Sequence, residues 1–229
     1  MEECLNNKHK PQSKKEKVIQ EIITNVKRQR DIIQKGLEKG LNESDTRTLV
    51  NKFFEYVLGY DLFDISSEQR IRSQYADYVI HINEKDYFVV EIKSIGTKLN
   101  KNHLVQLQTY ATSSGIEWAI LTNGATIELY KIVFDQPVDF YKIFEVDLTK
   151  KTTSEDVENL YLLHKYSASK NELMTIWQQK KVLSESNLQK YLVDDEVLTL
   201  VAKKLKKDSG IKICIEDLRN EILIKVFRS

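Results

Sequence analysis

The sequence predicts an α/β fold: a mixed central β-sheet flanked by helices, with a small helical module at the C-terminal end. Three observations carry this. Alternating apolar and polar residues mark strands from about Glu68 to Lys93. Two further apolar runs, Trp118–Thr122 and Thr126 to Tyr130, flank Asn123-Gly124, a dipeptide that favours a tight hairpin turn. Helix-spaced apolar residues precede the first strands, separate the two groups and fill the tail.

The elements follow in order. Val18, Ile19, Ile22, Ile23, Val26, Ile32 and Ile33 predict one long helix, or two, from about Glu16 to Gly40. Asn42 is placed to cap a second helix whose stripe is Leu49, Val50, Phe53, Phe54, Val57 and Leu58, ending before Gly59. At about 100° per residue Glu43 falls near the middle of that stripe, whereas Glu55 points away from it. A third helix covers Lys101 to about Ser113 with Leu104, Leu107 and Ala111 inward, and a further strand is expected over 141–146. Beyond Ser154 the pattern is helical, and a short apolar run over 211–215 precedes the last helix. The expected domains are a basic helical segment over 1–40, an α/β core over 41–150 and a helical module over 151–229.

Composition narrows the function classes. The 229 residues hold two prolines and seven glycines, which argues against long linkers. No run approaches the roughly 18 apolar residues of a membrane span, and no signal peptide precedes the first charges, so a cytoplasmic protein without membrane contact is expected. Cys4 and Cys214 lack metal or redox spacing and read as reduced and incidental. The net charge of +1 conceals a split: residues 1–40 carry +4, 41–150 carry −5 and 151–229 carry +2. A polyanion would therefore be held by the flanks, by local basic patches or by another subunit.

The chemistry concentrates in one hairpin. Asp77 opens the run Asp77-Tyr78-Val79-Ile80-His81-Ile82, and Tyr87-Phe88-Val89-Val90-Glu91-Ile92-Lys93 returns after a polar turn. Pairing centred near Glu84 sets Asp77 opposite Glu91, and the period-2 pleat puts Asp77, Glu91 and Lys93 on one face. Two opposed carboxylates repel, and a proton or a divalent ion relieves the repulsion. Mg²⁺ suits two carboxylates and one backbone carbonyl because it retains waters, one of which can act as nucleophile. Mixed charges on a solvent-facing hairpin are the plainer reading. On the third helix Gln106 and Tyr110 lie one turn apart on the flank of the stripe, either reaching a phosphate or the lysine or belonging to an ordinary amphipathic helix. Arg47 and Arg72 either grip a backbone phosphate or form ordinary ion pairs. His81 reads as a surface residue, His103 as a solvated helix start or a phosphate contact, and Lys203 to Lys207 as a basic helix end that favours the helix dipole or meets nucleic acid.

Asp77…Glu91-Ile92-Lys93 resembles the D…(D/E)-x-K core of the PD-(D/E)XK nuclease superfamily. Gln106-x-x-x-Tyr110 is similar to the Q-x-x-x-Y element of the nuclease domain of type I restriction enzyme R subunits, and Asn42 to Arg47 with Leu58 to Asp61 resemble the segment ahead of that core. Ala76 stands where the superfamily often has proline, and no G-x-x-x-x-G-K-S/T phosphate loop occurs, so the expectation is a nuclease part without an ATP site or motor. The resemblance implies a restriction-endonuclease-like fold and a Mg²⁺-dependent endonuclease, with Mn²⁺ as a substitute, acting on DNA in restriction or host defence. In that scheme Asp77, Glu91 and the Ile92 carbonyl hold the metal, Lys93 orients water, and Glu43 assists. Gln106, Tyr110, Arg47 and Arg72 contact substrate. A homodimer or a larger restriction or defence complex is the implied assembly. The alternative is a catalytically inactive nuclease-fold module that binds nucleic acid or a protein partner.

Overall fold

The structure is a computed structural model describing residues 12–71, 74–134 and 137–227, with 68–71, 74, 75, 106 and 109 by backbone alone. It divides into two compact units, Met1–Asn171 and Glu172–Ser229. Among the described residues no helix is long and apolar enough to cross a membrane.

The first unit is built on one six-stranded sheet in sequence order: β1 (Ile65–Ile71), β2 (Gln74–Ile82), β3 (Lys85–Ile92), β4 (Trp118–Thr122), β5 (Thr126–Val133) and β6 (Asp139–Asp147). Neighbours are antiparallel except β3 and β4, which run parallel. A parallel pair needs a crossover, supplied here by α3 (Val105–Ser114) after a 3-10 turn at Lys101–Leu104. This is the α/β fold expected, a mixed sheet flanked by helices and consistent with a restriction-endonuclease-like architecture.

The helices start where their caps dictate. Ser13 and Glu16 form a capping box ahead of a single long α1 (Lys14–Lys39), which Gly40 closes in the left-handed conformation. Asn42 Oδ1 accepts from Asp45 N at the start of α2 (Glu43–Tyr56), as the sequence implied. Thr153 and Asp156 form a second box ahead of α4 (Ser154–Leu163). Tyr60 donates its buried hydroxyl to the Leu163 carbonyl at 2.7 Å, and Lys165 N–H donates to the Leu58 carbonyl. Those bonds, with α1 against α4, fasten residues 154–168 to the sheet-bearing unit. The short α5 (Lys165–Ala168) completes it. The second unit comprises α6 (Glu172–Val182), α7 (Glu185–Leu192), α8 (Asp195–Ser209) and α9 (Ile215–Lys225), with Leu198 and Leu218 buried.

The β2–β3 hairpin differs from its expected form in one detail that matters. Its turn is not centred on Glu84; Asn83 and Glu84 are both left-handed, at φ 50° and 64°, as in a two-residue type I′ turn. Such a turn pairs Ile82 with Lys85 and His81 with Asp86, and continued unbroken it would set Asp77 opposite Val90. A bulge intervenes. The register shifts between Ile80 and His81, Tyr87 becomes the extra residue, and pairing resumes as Ile80 with Phe88 and Tyr78 with Val90. Continued by one position, that register sets Asp77 opposite Glu91, by a turn and a bulge together.

Gly59, just after α2, holds φ +72°, and a Cβ there would lie 2.7 Å from His164 Nε2. Gly59→Ala is therefore expected to destabilise the protein by about 2 kcal/mol, from backbone strain and the clash together, as read by its urea unfolding midpoint.

Candidate active site

Val79 and Val89 belong to one apolar cluster with Leu104, Leu107 and Ala111, so this face of β2 and β3 packs under α3. On β3 the pleat carries that face on to Glu91. Asp77 uses both oxygens: Oδ1 accepts from Arg47 at 2.5 Å and Oδ2 from the Ile92 backbone N–H at 2.7 Å. Glu91 Oε1 accepts from the Lys93 ammonium at 2.5 Å. Glu43, in the first turn of α2, joins both cations, 3.2 Å from Arg47 and 4.0 Å from Lys93. The result is an alternating array, Asp77–Arg47–Glu43–Lys93–Glu91, gathered from α2, β2, β3 and the residue that follows β3.

Burial falls steeply across it. The Glu91 side chain is 4% exposed, Lys93 18% and Glu43 44%. Burial pushes the Glu91 carboxyl up to about 7, against the hydrogen bond from Lys93, with the Asp77 charge pushing the same way. Burial also raises Asp77, opposed by the Ile92 N–H and by Arg47. Partial burial pulls Lys93 down, but the hydrogen bond to Glu91 and the nearby carboxylates outweigh it and leave it above the ordinary lysine range. Lys93 is thus a firm cation at neutral pH, a donor and charge stabiliser but not a base.

The surroundings fix this array. Lys93 N–H donates to the Thr122 carbonyl, and the Asn123 side-chain amide donates to the Thr97 carbonyl at 2.9 Å. Asn123 thereby ties the loop after Lys93 to the β4–β5 turn. Tyr78 donates its hydroxyl to the Arg47 carbonyl, joining β2 to α2. The sequence flagged Asn123 only as a turn former and gave no signal for Tyr78.

Three expectations need correction or restriction. Tyr110 does not lie on the flank of α3: it is 3% exposed within the Leu104, Leu107 and Ala111 cluster. Three residues after Leu107, it falls on the same helical face. Its hydroxyl also feels Asp86, five residues before Glu91 and about 16 Å away along β3. Gln106 sits in the first turn of α3 by its backbone, its side chain lying outside the described residues, and so does Arg72 altogether. His81 is hydrogen-bonded to Ser66 and Asp86, and His103 accepts from Asn100 N as part of a cap.

Residues 42–146 match the family described as type I restriction enzyme R protein N terminus (HSDR_N). The match bears out the resemblance to that nuclease domain and spans α2 through nearly all of β6, including Glu43, Arg47, Asp77, Glu91 and Lys93. It associates this segment with restriction. Neither the curated proteins nor the solved structures yielded a significant match.

Among the described residues, no three His, Cys, Asp or Glu side chains form a cage for a metal ion. Asp77 and Glu91 are a two-carboxylate set, which suits a magnesium-sized ion that keeps most of its waters. Their proton affinities are raised chiefly by burial, against the pull of Arg47 and Lys93.

The linkage has a definite sign. With Glu91 raised from the ordinary 4.5 to about 7, the folded protein holds this proton more tightly than the unfolded chain. Stability is therefore lost as pH rises through that window. Glu91→Gln is expected to stabilise the metal-free protein at pH 8 by ~1–3 kcal/mol and to give almost no gain at pH 4.5. Denaturant titrations in EDTA at the two pH values measure this.

Proposed function

We propose that this protein is a metal-dependent endonuclease that hydrolyses DNA phosphodiester bonds, in restriction or host defence. The observation that carries the reading is the convergence of Asp77, Glu91 and Lys93 in one array of hydrogen bonds and ion pairs, within the segment that matches a restriction-enzyme family.

Asp77, Glu91 and the Ile92 carbonyl are the groups that would hold Mg²⁺, with Mn²⁺ as its substitute. When bound, that ion supplies a water of lowered pKa and neutralises charge on the phosphate. Lys93 is a permanent donor at the same spot and serves to orient the attacking water and to stabilise negative charge developing on the phosphoryl oxygens. Its hydrogen bond to Glu91 fixes the ammonium, so little reorganisation is needed as the reaction proceeds. Glu43 sits between Arg47 and Lys93 and holds both in place, and its more exposed carboxylate is free to accept a hydrogen bond from a water. Arg47 is positioned beside Asp77 to meet a phosphate oxygen. Gln106, at the start of the crossover helix, is assigned to substrate; the buried Tyr110 is not.

Plasmid and linear DNA incubated with Mg²⁺ or Mn²⁺ test this. The wild type is expected to cut, and Lys93→Ala to lose at least 100-fold in rate. Equal cutting by the variant, or none by the wild type in either metal, sinks the enzymatic reading. Thermal melting gives an independent readout: Mg²⁺ or Ca²⁺ should raise the wild-type melting temperature, and Asp77→Asn should abolish that rise.

A further inference from the structure

We infer that the groove between α1 and α4 is a phosphate-binding site that anchors the DNA backbone beside the active site; this rests on the nuclease reading above. The groove, about 370 Å³, is lined by Lys27, Arg30, Lys151 and Thr152 at one part and by Ile19, Ile23 and Val157 elsewhere. Three cations thus face one concavity. The carboxylate on its wall, Glu158, is paired with Lys15 at 3.3 Å, so it does not cancel them.

Arg30 supplies the sharper signal. Its Nη2 donates to Thr152 Oγ1 at 2.9 Å, which fixes the guanidinium. Its Nε is shielded from solvent and has no hydrogen-bond acceptor among the described residues. Guanidinium geometry matches phosphate oxygens better than most acceptors.

Location identifies the anion. Gly36 packs against Ile95, two residues beyond Lys93, which fixes the C-terminal part of α1 beside the active-site loop. Arg30 lies six residues before Gly36, about 9 Å along the helix at ~1.5 Å per residue. Along α1 the groove is thus offset from the active-site loop by less than one ~34 Å turn of duplex, within reach of a single DNA molecule. The charge distribution agrees: residues 41–150 are net −5, whereas residues 1–40 are net +4.

The test is binding without cleavage. Fluorescence anisotropy of a labelled duplex in EDTA, over a series of salt concentrations, compares the wild type with Lys27→Gln/Arg30→Gln/Lys151→Gln. Affinity is expected to fall at least tenfold, and the slope of log K against log salt to shrink by about 2–3, near 0.9 per lost phosphate contact. Arg30→Lys should retain part of the slope but not all of the affinity. Should loss of the Arg30–Thr152 bond unfold the triple variant, the Lys27→Gln/Lys151→Gln pair changes only exposed side chains and should remove about 2 from the slope. Unchanged affinity and slope in folded variants, or a wild type that does not bind DNA, overturn the anchor. A wild type that binds with the expected slope change but never cuts overturns the nuclease reading and leaves the anchor standing.

Discussion

Everything at the candidate site depends on one extra residue in β3. Cross-strand partners share a face of the sheet, so a register one residue shorter would turn Asp77 and Glu91 to opposite faces. The type I′ turn alone gives that shorter register, and the bulge at Tyr87 corrects it. Tyr87 is itself anchored: its hydroxyl donates to Asn171 at 3.0 Å and its ring meets Phe88 edge-on with centroids 4.8 Å apart. A bulge held from outside the sheet is a structural feature of the hairpin and not a local irregularity.

The second constraint is electrostatic. Two carboxylates are brought into a shielded corner, where burial raises both and the Asp77 charge adds to the cost of charging Glu91. Arg47 and Lys93 offset that cost in the metal-free protein, each hydrogen-bonded at 2.5 Å, with Glu43 between them. Counting three carboxylates and two firm cations, the array is left with about one negative charge. It is correspondingly sensitive to a proton or to a divalent cation, and the same desolvation that costs stability at high pH strengthens any ion bound there.

Much of the fold was readable because its signals are local. Asn42 and Gly40 set helix ends through backbone bonds within a few residues, and Trp118–Thr122 and Thr126 to Tyr130 fell in β4 and β5. Glu43 was picked out by its angle on α2, and it does turn toward the array. Tyr110 failed for an instructive reason: at the edge of a helical stripe a tyrosine is buried or solvated according to what packs above it, and β2 and β3 pack here.

The sequence by itself determined the element order, the helix caps and the odd-numbered trio Asp77, Glu91 and Lys93, because propensity, capping and the pleat act over two to four residues. Tertiary structure alone decided the rest. The bulge depends on contacts with Tyr87 from residue 171, Arg47 reaches Asp77 across 30 positions, and α1 meets α4 across more than a hundred. Such pairings are settled by packing and charge between distant segments, and no short-range pattern encodes them.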